Sequence, residues 1–155
     1  MAKTIGVISD THGLLRPQAV EALRGSELII HAGDAGSPEI LEQLRQVAPV
    51  VAVRGNVDTG RWASSLPATH EIDFEGHTIH VRHILEDVMP VPGGLSAVVY
   101  GHSHEPSIEH RGGILYLNPG SAGPRRFRLP ITVARMSIVS GRLTAKIIQL
   151  DVAAA

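Results

Sequence analysis

KTIGVISDTHG, residues 3–13, is an apolar, β-branched run over 3–9 that stops on the polar pair Asp10 and His12. Such a run favours an extended strand. The following PQAVEALR, residues 17–24, has proline at a helix start and apolar positions at helical spacing. The same pair of elements then recurs. Leu28–Ile30 ends at His31-Ala32-Gly33-Asp34, Ser37-Pro38-Glu39 opens an amphipathic helix through about Gln46 with Ser37 as its N-cap, and Val47–Val53 makes a third strand. Strands and helices alternating at this length predict right-handed parallel crossovers, and sheets of that kind carry their functional loops at the carboxyl ends of the strands. Asp10, Asp34 and Asn56 all fall there.

The second half changes character. Thr69–Phe74 and His77–His83 flank Glu75-Gly76, a tight hairpin signal, and Ser96–Tyr100 is a buried strand ending at Gly101. Ser107–His110 and Ile114–Leu117 flank a turn at Arg111-Gly112-Gly113, and Ile131–Ile138 pairs with Leu143–Leu150 across Ser140-Gly141. This half reads as mostly antiparallel, and the tail Asp151–Ala155 as frayed. There is no repeat of fixed period and no low-complexity linker, so residues 1–155 read as a single domain: a mixed α/β chain with two sheets flanked by helices.

Length and composition agree with that reading. A chain of 155 residues, 43% hydrophobic and 19% charged, can bury a core of its own and is no disordered segment. A formal net charge of -1 gives no broad basic face, so extended nucleic-acid binding is not expected, while one nucleotide or a strand end could still enter a cleft as substrate. Without cysteine there is no disulfide framework and no thiolate site, so any metal rests on nitrogen and oxygen ligands. The N-terminal residues lack the pattern of a signal peptide and no apolar stretch is long enough to span a bilayer; the expected location is the cytoplasm, with no membrane partner. Against this plain background stand nine histidines.

Four short motifs sit at or just beyond strand ends: Asp10-Thr11-His12, Gly33-Asp34, Gly55-Asn56-Val57-Asp58 and Gly101-His102-Ser103-His104. Each alone has an ordinary explanation. Asp10 and Asp34 suit helix N-caps, Gly55-Asn56 a turn and Gly101-His102 an exposed loop. Their joint occurrence favours a metal site, because alternate residues at a bent strand end can aim two side chains at one point. Carboxylate and amide oxygens mixed with imidazoles suit manganese, iron, cobalt, nickel or zinc better than calcium.

In order and spelling these pieces resemble the calcineurin-like metallophosphoesterases, whose pattern runs D-x-H, G-D, G-N, H and G-H-x-H. The blocks IGVISDTHG, IIHAGD, VRGNVD, YGHSHEP and LNPGS are most similar to the small bacterial and archaeal phosphodiesterase branch of that family, and the resemblance spans residues 5 to about 121. It implies a four-layer αββα sandwich and metal-dependent hydrolysis of a small phosphoester, most of all a phosphodiester. The cofactor it implies is a pair of divalent ions, manganese foremost, with nickel, zinc, iron, cobalt and magnesium as alternatives. By matching positions it implies that Asp10, His12 and His104 hold one ion, that Asn56, His83 and His102 hold the other, and that Asp34 bridges them. His83 is followed by Ile84 where the family usually has glycine. It is chosen because it ends the strand from Ile79, whereas His80, at odd offset, points to the opposite face.

Two cations sharing a carboxylate at roughly 3.5–4 Å acidify a bridging water and clamp the attacking and leaving oxygens of a phosphate, so hydroxide is the expected nucleophile and Asp34, Asn56 and His102 act through the metals. No G-x-S-x-G elbow or Walker loop offers another route. Many relatives carry a histidine directly after Gly-Asn that can protonate the leaving group; here the place is Val57, which predicts modest activity favouring good leaving groups. Asp58 is expected to bond a ligand imidazole and fix its tautomer, with His31 and the Asn118–Ser121 turn close by. His70, His77, His80 and His110 read as surface or packing histidines, Arg125, Arg126 and Arg128 as a solvated loop, and Trp62 as packing. The competing reading is a binding scaffold that keeps the fold without hydrolysis, as in the small retromer subunit that resembles the same branch; retention of every ligand position counts against it. A metal-dependent nuclease comes third, disfavoured by the lack of basic excess. Self-association and the effect of Ile84–Gly94 on the pocket stay open at this level.

Overall fold

Apolar, β-branched segments build the first sheet, as their preference for pleated backbone requires. In a computed structural model that describes residues 3–85 and 93–152, β1 (Lys3–Ile8), α1 (Pro17–Leu23), β2 (Leu28–His31), α2 (Pro38–Arg45) and β3 (Val50–Ala52) alternate as expected. The strands run parallel, with Ile8 beside His31 and Ile30 beside Val51. Both helices open on a proline, whose fixed φ suits a first turn. Ser37 is the N-cap residue of α2 but its side chain makes no capping hydrogen bond. The strand expected over Val47–Val53 contracts to β3, because the N–H groups of Val47 and Ala48 both donate back to Leu44 O and complete the turn that leaves α2.

A short helix, α3 (Arg61–Ser64), leads into β4 (Thr69–Phe74), β5 (His77–Arg82), β6 (Ala97–Val99), β7 (Ser107–Arg111) and β8 (Ile114–Asn118), which form a second sheet in the order β4-β5-β6-β8-β7. The hairpins β4–β5 and β7–β8 are antiparallel as expected, but β6 runs parallel to both β5 and β8. This sheet is therefore mixed rather than mostly antiparallel. The physical reason lies in β6: all three of its residues are buried, the two-sided cover that parallel strands require. Finally β9 (Thr132–Val139) and β10 (Arg142–Gln149) return as a hairpin and join the first sheet, whose order is β10-β9-β1-β2-β3.

Alternation along the strands sorts the core into layers. Ile5, Val7 and Ile30 of the first sheet meet Ile79, Val81, Val99 and Leu117 of the second, while Ile8 and Ile29 face the other way onto Ala19, Leu23, Leu41 and Leu44 of the helices. Val98 and Tyr116 pack with Leu85 and Leu95 on the outer face of the second sheet. Glu86–Pro92, within the segment whose effect on the pocket the sequence leaves open, lies outside the described residues, as does Ala153–Ala155 of the tail. No helix among the described residues is long and apolar enough to cross a membrane.

Ile30 is fully buried between the sheets, so Ile30→Ala should lower unfolding free energy by about 2–5 kcal/mol. Val139, 51% exposed, should tolerate the same truncation to within about 0.5 kcal/mol. Urea titration of both variants checks the contrast, and equal losses would contradict the layer assignment.

Candidate metal centre

The loops that leave β1 and β2 run side by side beyond the sheet. Asp10 N–H donates to Gly33 O at 3.0 Å, His12 N–H to Asp34 O at 2.9 Å and Gly13 N–H to Ala35 O at 2.7 Å. On the second sheet Gly101 N–H donates to His83 O at 2.9 Å and ties the ends of β5 and β6 in the same manner. At these ends the backbone turns left-handed. Asp10, His12, Asp34, His102 and His104, with φ between 47° and 76°, are five of the eight non-glycine residues of positive φ among the described residues. Left-handed backbone costs roughly 1 kcal/mol or more per such residue, and its concentration here marks a place shaped for geometry rather than stability. Two glycines make room: a Cβ on Gly55 would run into the Asp34 carboxylate, and one on Gly101 into the Ser9 hydroxyl.

The side chains then converge. Asp10, His12 and His104 present ligand atoms within 4.8 Å of one another, and so do Asp34, His83 and His102. Asp10 Oδ1 lies 3.4 Å from His104 Nε2, 3.7 Å from His12 Nε2 and 3.8 Å from His83 Nε2. Asp34 Oδ2 lies 3.0 Å from His83 Nε2 and 3.7 Å from His12 Nε2. Both carboxylates thus reach a histidine of each group, and Asp34 makes the shortest of these approaches, to His83. Asn56 Oδ1 stands 3.2 Å from His102 Nδ1. Asp10, Asp34, His83 and His104 are buried whereas Asn56 and His102 are exposed, which leaves one side open to solvent.

Hydrogen bonding shows what this cluster lacks. Ser9 Oγ and His102 N–H donate to Asp10 Oδ2 at 2.6 and 3.1 Å, Val57 N–H donates to Asp34 Oδ1 at 3.0 Å, and His83 Nδ1–H donates to Ala32 O at 2.8 Å. Each of these bonds holds the far side of a ligand. On the near side Asp10 Oδ1, His12 Nε2 and His83 Nε2 are buried with no hydrogen-bond partner among the described residues; His104 turns its Nε2 to Asp10, and its buried Nδ1 is without a partner as well. The Ala32 carbonyl can only accept, so it fixes the His83 proton on Nδ1 and aims the Nε2 lone pair at Asp34. Two acceptors 3.0 Å apart repel unless a positive charge lies between them. A proton can supply it and so can a divalent cation.

The titration behaviour has the same origin. Burial by itself would raise the Asp10 carboxyl, but the His104 and His12 imidazoles, the charge of His83 and the Ser9 hydroxyl outweigh it and hold the group well below the usual carboxylate range. Asp34 is lowered too, burial being overcome by His83 and the Val57 N–H. For His83 burial pulls downward, and the two carboxylates together raise it above the ordinary imidazole value. Nitrogen and oxygen donors without sulfur suit first-row divalent ions.

His83 joins the cluster; His80 does not, being buried on the other face of β5, where its Nε2 accepts from Arg82 Nε at 3.0 Å. Asp58 departs from expectation. No imidazole is among its hydrogen-bond partners; the carboxylate collects the backbone N–H groups of Asp34, Ala35, Gly36 and Gly55 at 2.9, 3.3, 3.0 and 2.9 Å. The loops after β2 and β3 bring four amides without strand partners to one point, and a buried carboxylate is the compact acceptor for them. Asn118 Nδ2 donates to Gly101 O at 3.2 Å and Ser121 Oγ to Asp10 O at 3.0 Å, so that turn supports the ligand loops from behind. Neither Asp10 nor Asp34 is an N-cap, since α1 and α2 begin after Arg16 and Ser37. Trp62 packs, half-buried, on the helix side, and Arg125, Arg126 and Arg128 are exposed. Ser9 and Thr11 support the site without a motif of their own; their only signal is adjacency to Asp10.

Imidazoles and carboxylates gathered at the carboxyl ends of two packed mixed sheets define a metallophosphoesterase domain. Residues 4–141 match the model of the calcineurin-like phosphoesterase superfamily domain, and the chain belongs to that superfamily. It is 35% identical to the "Probable metallophosphoesterase" of Methanothermobacter thermautotrophicus, over 94% of this chain and 91% of the relative. It is also 30% identical to the phosphodiesterase YfcE of Escherichia coli, over 73% and 76%. Among solved structures, an archaeal phosphodiesterase superposes with a TM-score of 0.75 at 23% identity, covering 94% of this chain and 99% of the other. Vps29 of Chaetomium thermophilum gives 0.76 at 17%, covering 96% and 97%. These likenesses show the shared fold, and the family together with the donor set supports divalent-metal binding.

Behind the cluster lies His31, fully buried. Its Nδ1 accepts Gly33 N–H at 3.1 Å, and its Nε2 faces the Thr11 hydroxyl at 3.0 Å, which in turn donates to Ala35 O at 3.0 Å. A ring whose Nδ1 accepts is neutral, and burial, opposed by the charges of Asp10 and Asp58, pushes the imidazole down to about 4. A folded-state value below the unfolded one means that the unfolded chain takes up the proton first. Stability from this site is therefore intact above about pH 6.5 and declines, by roughly 1 kcal/mol per pH unit, as pH falls toward 4. His31→Asn keeps an acceptor for Gly33 and removes the titration, so its melting temperature should fall less steeply between pH 7 and 5 than that of the parent. Parallel slopes would contradict the assignment.

Proposed function

We propose that this chain is a phosphodiesterase that works with two divalent metal ions, manganese foremost, held by Asp10, His12, Asp34, Asn56, His83, His102 and His104. The observation that carries the reading is the set of buried, unpartnered acceptors that face one another, Asp10 Oδ1 with His12 Nε2 and His83 Nε2, joined by His104 Nε2 at 3.4 Å from the same Asp10 oxygen. Divalent ions held there would acidify water and neutralise phosphate charge. The chain's own residues do the rest. Asp34, whose Oδ2 lies 3.0 Å from His83 Nε2 of one group and 3.7 Å from His12 Nε2 of the other, is the shared ligand that the family pattern implies. The exposed edge at Asn56 and His102 is where a phosphoester approaches, and the Val57 N–H keeps the Asp34 carboxylate turned inward. The relatives named as phosphodiesterases support this substrate class. The cytoplasm is the location proposed, where a cysteine-free chain has no disulfide to lose, with residues 1–155 acting as one domain.

The scaffold reading has less behind it. A binding protein gains nothing from strained, buried acceptors, and selection for packing alone would replace them with apolar side chains.

Asp34→Ala and His104→Ala should each lower hydrolysis of bis(p-nitrophenyl) phosphate by about 100-fold or more and reduce the ions bound per chain by elemental analysis after loading with manganese, nickel, zinc or magnesium. Inert wild-type protein under every loading would sink the enzyme reading.

Val57, 46% exposed at the rim, offers no proton to a leaving group. A positioned general acid contributes roughly 100-fold to 10,000-fold, and that help matters most for poor leaving groups. Alkyl diesters should accordingly be cleaved at least about 100-fold more slowly than aryl diesters, and Val57→His should narrow the gap. Equal rates for the two classes in the wild type would refute the missing-acid argument.

A further inference from the structure

A pocket of about 150 Å³ opens directly beside the candidate ligands Asn56 and His83, and its other walls include Arg54, Ala68, Thr69, Arg82 and Ile84. Two of these residues are arginines, and among the described residues none of the lining is acidic. Arg82 is buried and anchored, its Nε donating to His80 Nε2 at 3.0 Å and its Nη1 to Leu85 O at 3.4 Å. Arg54 is exposed. Its backbone is tied down, the N–H donating to Pro67 O at 2.8 Å, while its guanidinium makes no hydrogen bond or ion pair with a described residue. An unpaired surface arginine is ordinarily just solvated; this one stands two residues before a candidate ligand, on the wall of the pocket that adjoins it.

A phosphodiester has two arms. With its phosphate at the ligand cluster and one arm leaving, the other must lie along a wall of the cleft, and the pocket next to Asn56 and His83 is a wall of suitable size. Its space of about 150 Å³ suits a short substituent. Ala68 and Ile84 can cover a hydrocarbon stem, while the Arg54 guanidinium, on a wall whose described residues include no carboxylate, favours an anion over a neutral or cationic end. Resting on the phosphodiesterase reading above, we propose that Arg54 is a specificity-determining residue that selects phosphodiesters whose retained arm carries a negative group, a carboxylate or a second phosphate.

Three p-nitrophenyl phosphodiesters that differ only in the retained arm test this: carboxyethyl, ethyl and choline. For the metal-loaded wild type, kcat/KM should fall in that order, with the carboxyethyl ester about three- to tenfold above the ethyl ester, the factor set by one partly exposed charge pair. Arg54→Ala should bring the carboxyethyl to ethyl ratio near unity, and Arg54→Glu should place the choline ester above the carboxyethyl ester, a reversal that loss of structure does not produce. Melting temperatures check that the variants fold. The Kd of a hydrolysis-resistant phosphonate bearing the carboxyethyl arm, measured by calorimetry, should weaken by the same factor in Arg54→Ala. Unchanged arm preference and unchanged Kd across the three proteins would overturn the proposal. Should the wild type cleave none of the esters, the phosphodiesterase reading fails, and the phosphonate Kd alone then decides the role of Arg54.

Discussion

Carboxylate oxygens buried against imidazole nitrogens, acceptor facing acceptor, are the constraint around which the rest of this molecule is arranged. Asp10 Oδ1 and Asp34 Oδ2 sit 3.0 to 3.8 Å from ring nitrogens of His12, His83 and His104. Without a positive charge, each unpartnered buried acceptor costs about 1–3 kcal/mol; with a cation, the same atoms become ligands. Holding them there needs more than the ligands. Left-handed backbone at Asp10, His12, Asp34, His102 and His104, the Asp58 carboxylate collecting four amides and bare Cα positions at Gly55 and Gly101 all serve that one arrangement. Such terms are large beside a net domain stability of about 5–15 kcal/mol. Burial elsewhere has to offset them.

That burial is the interface between the sheets, and it also aligns the site. Asp10, His12, Asp34 and Asn56 follow strands of the first sheet, whereas His83, His102 and His104 follow strands of the second. Each candidate ion group draws on both. Ile5, Val7 and Ile30 packed against Ile79, Val81 and Leu117 therefore set the distance between half-sites, and a close-packed interior resists sliding. The larger cavity, about 460 Å³ and lined by His77, Ser96, Gly113 and Gly141, lies at the other end of the strands. It shares no residue with the cluster.

The open edge of the site carries the features that distinguish this chain. Val57 stands in the rim where the family resemblance leads one to expect an acid, and it contributes its backbone N–H to Asp34. Arg54 and Arg82 line the adjoining pocket. If the candidate ligands carry the chemistry as proposed, discrimination between substrates falls to the leaving group on one side and Arg54 on the other.

The alternation of β-branched runs and Pro-led helices in residues 3–53 is a local pattern, so the parallel half of the first sheet was legible without coordinates. D-x-H, G-D, G-N and G-H-x-H at strand ends, the pattern of the family that the chain resembles, likewise marked the candidate ligands, because chelation favours short spacings that survive in one dimension. The parallel seating of β6 was not legible, nor was the return of β9 and β10 to the first sheet. Pairing partners far apart in the chain are chosen by burial of whole faces, which short windows do not report. For the same reason Asp58 read as a partner for an imidazole until the amides of two separate loops were seen converging on it. The sequence by itself determined which atoms can bind a metal; only the tertiary structure decided that they face one another unpartnered, because that depends on two sheets meeting at a single distance.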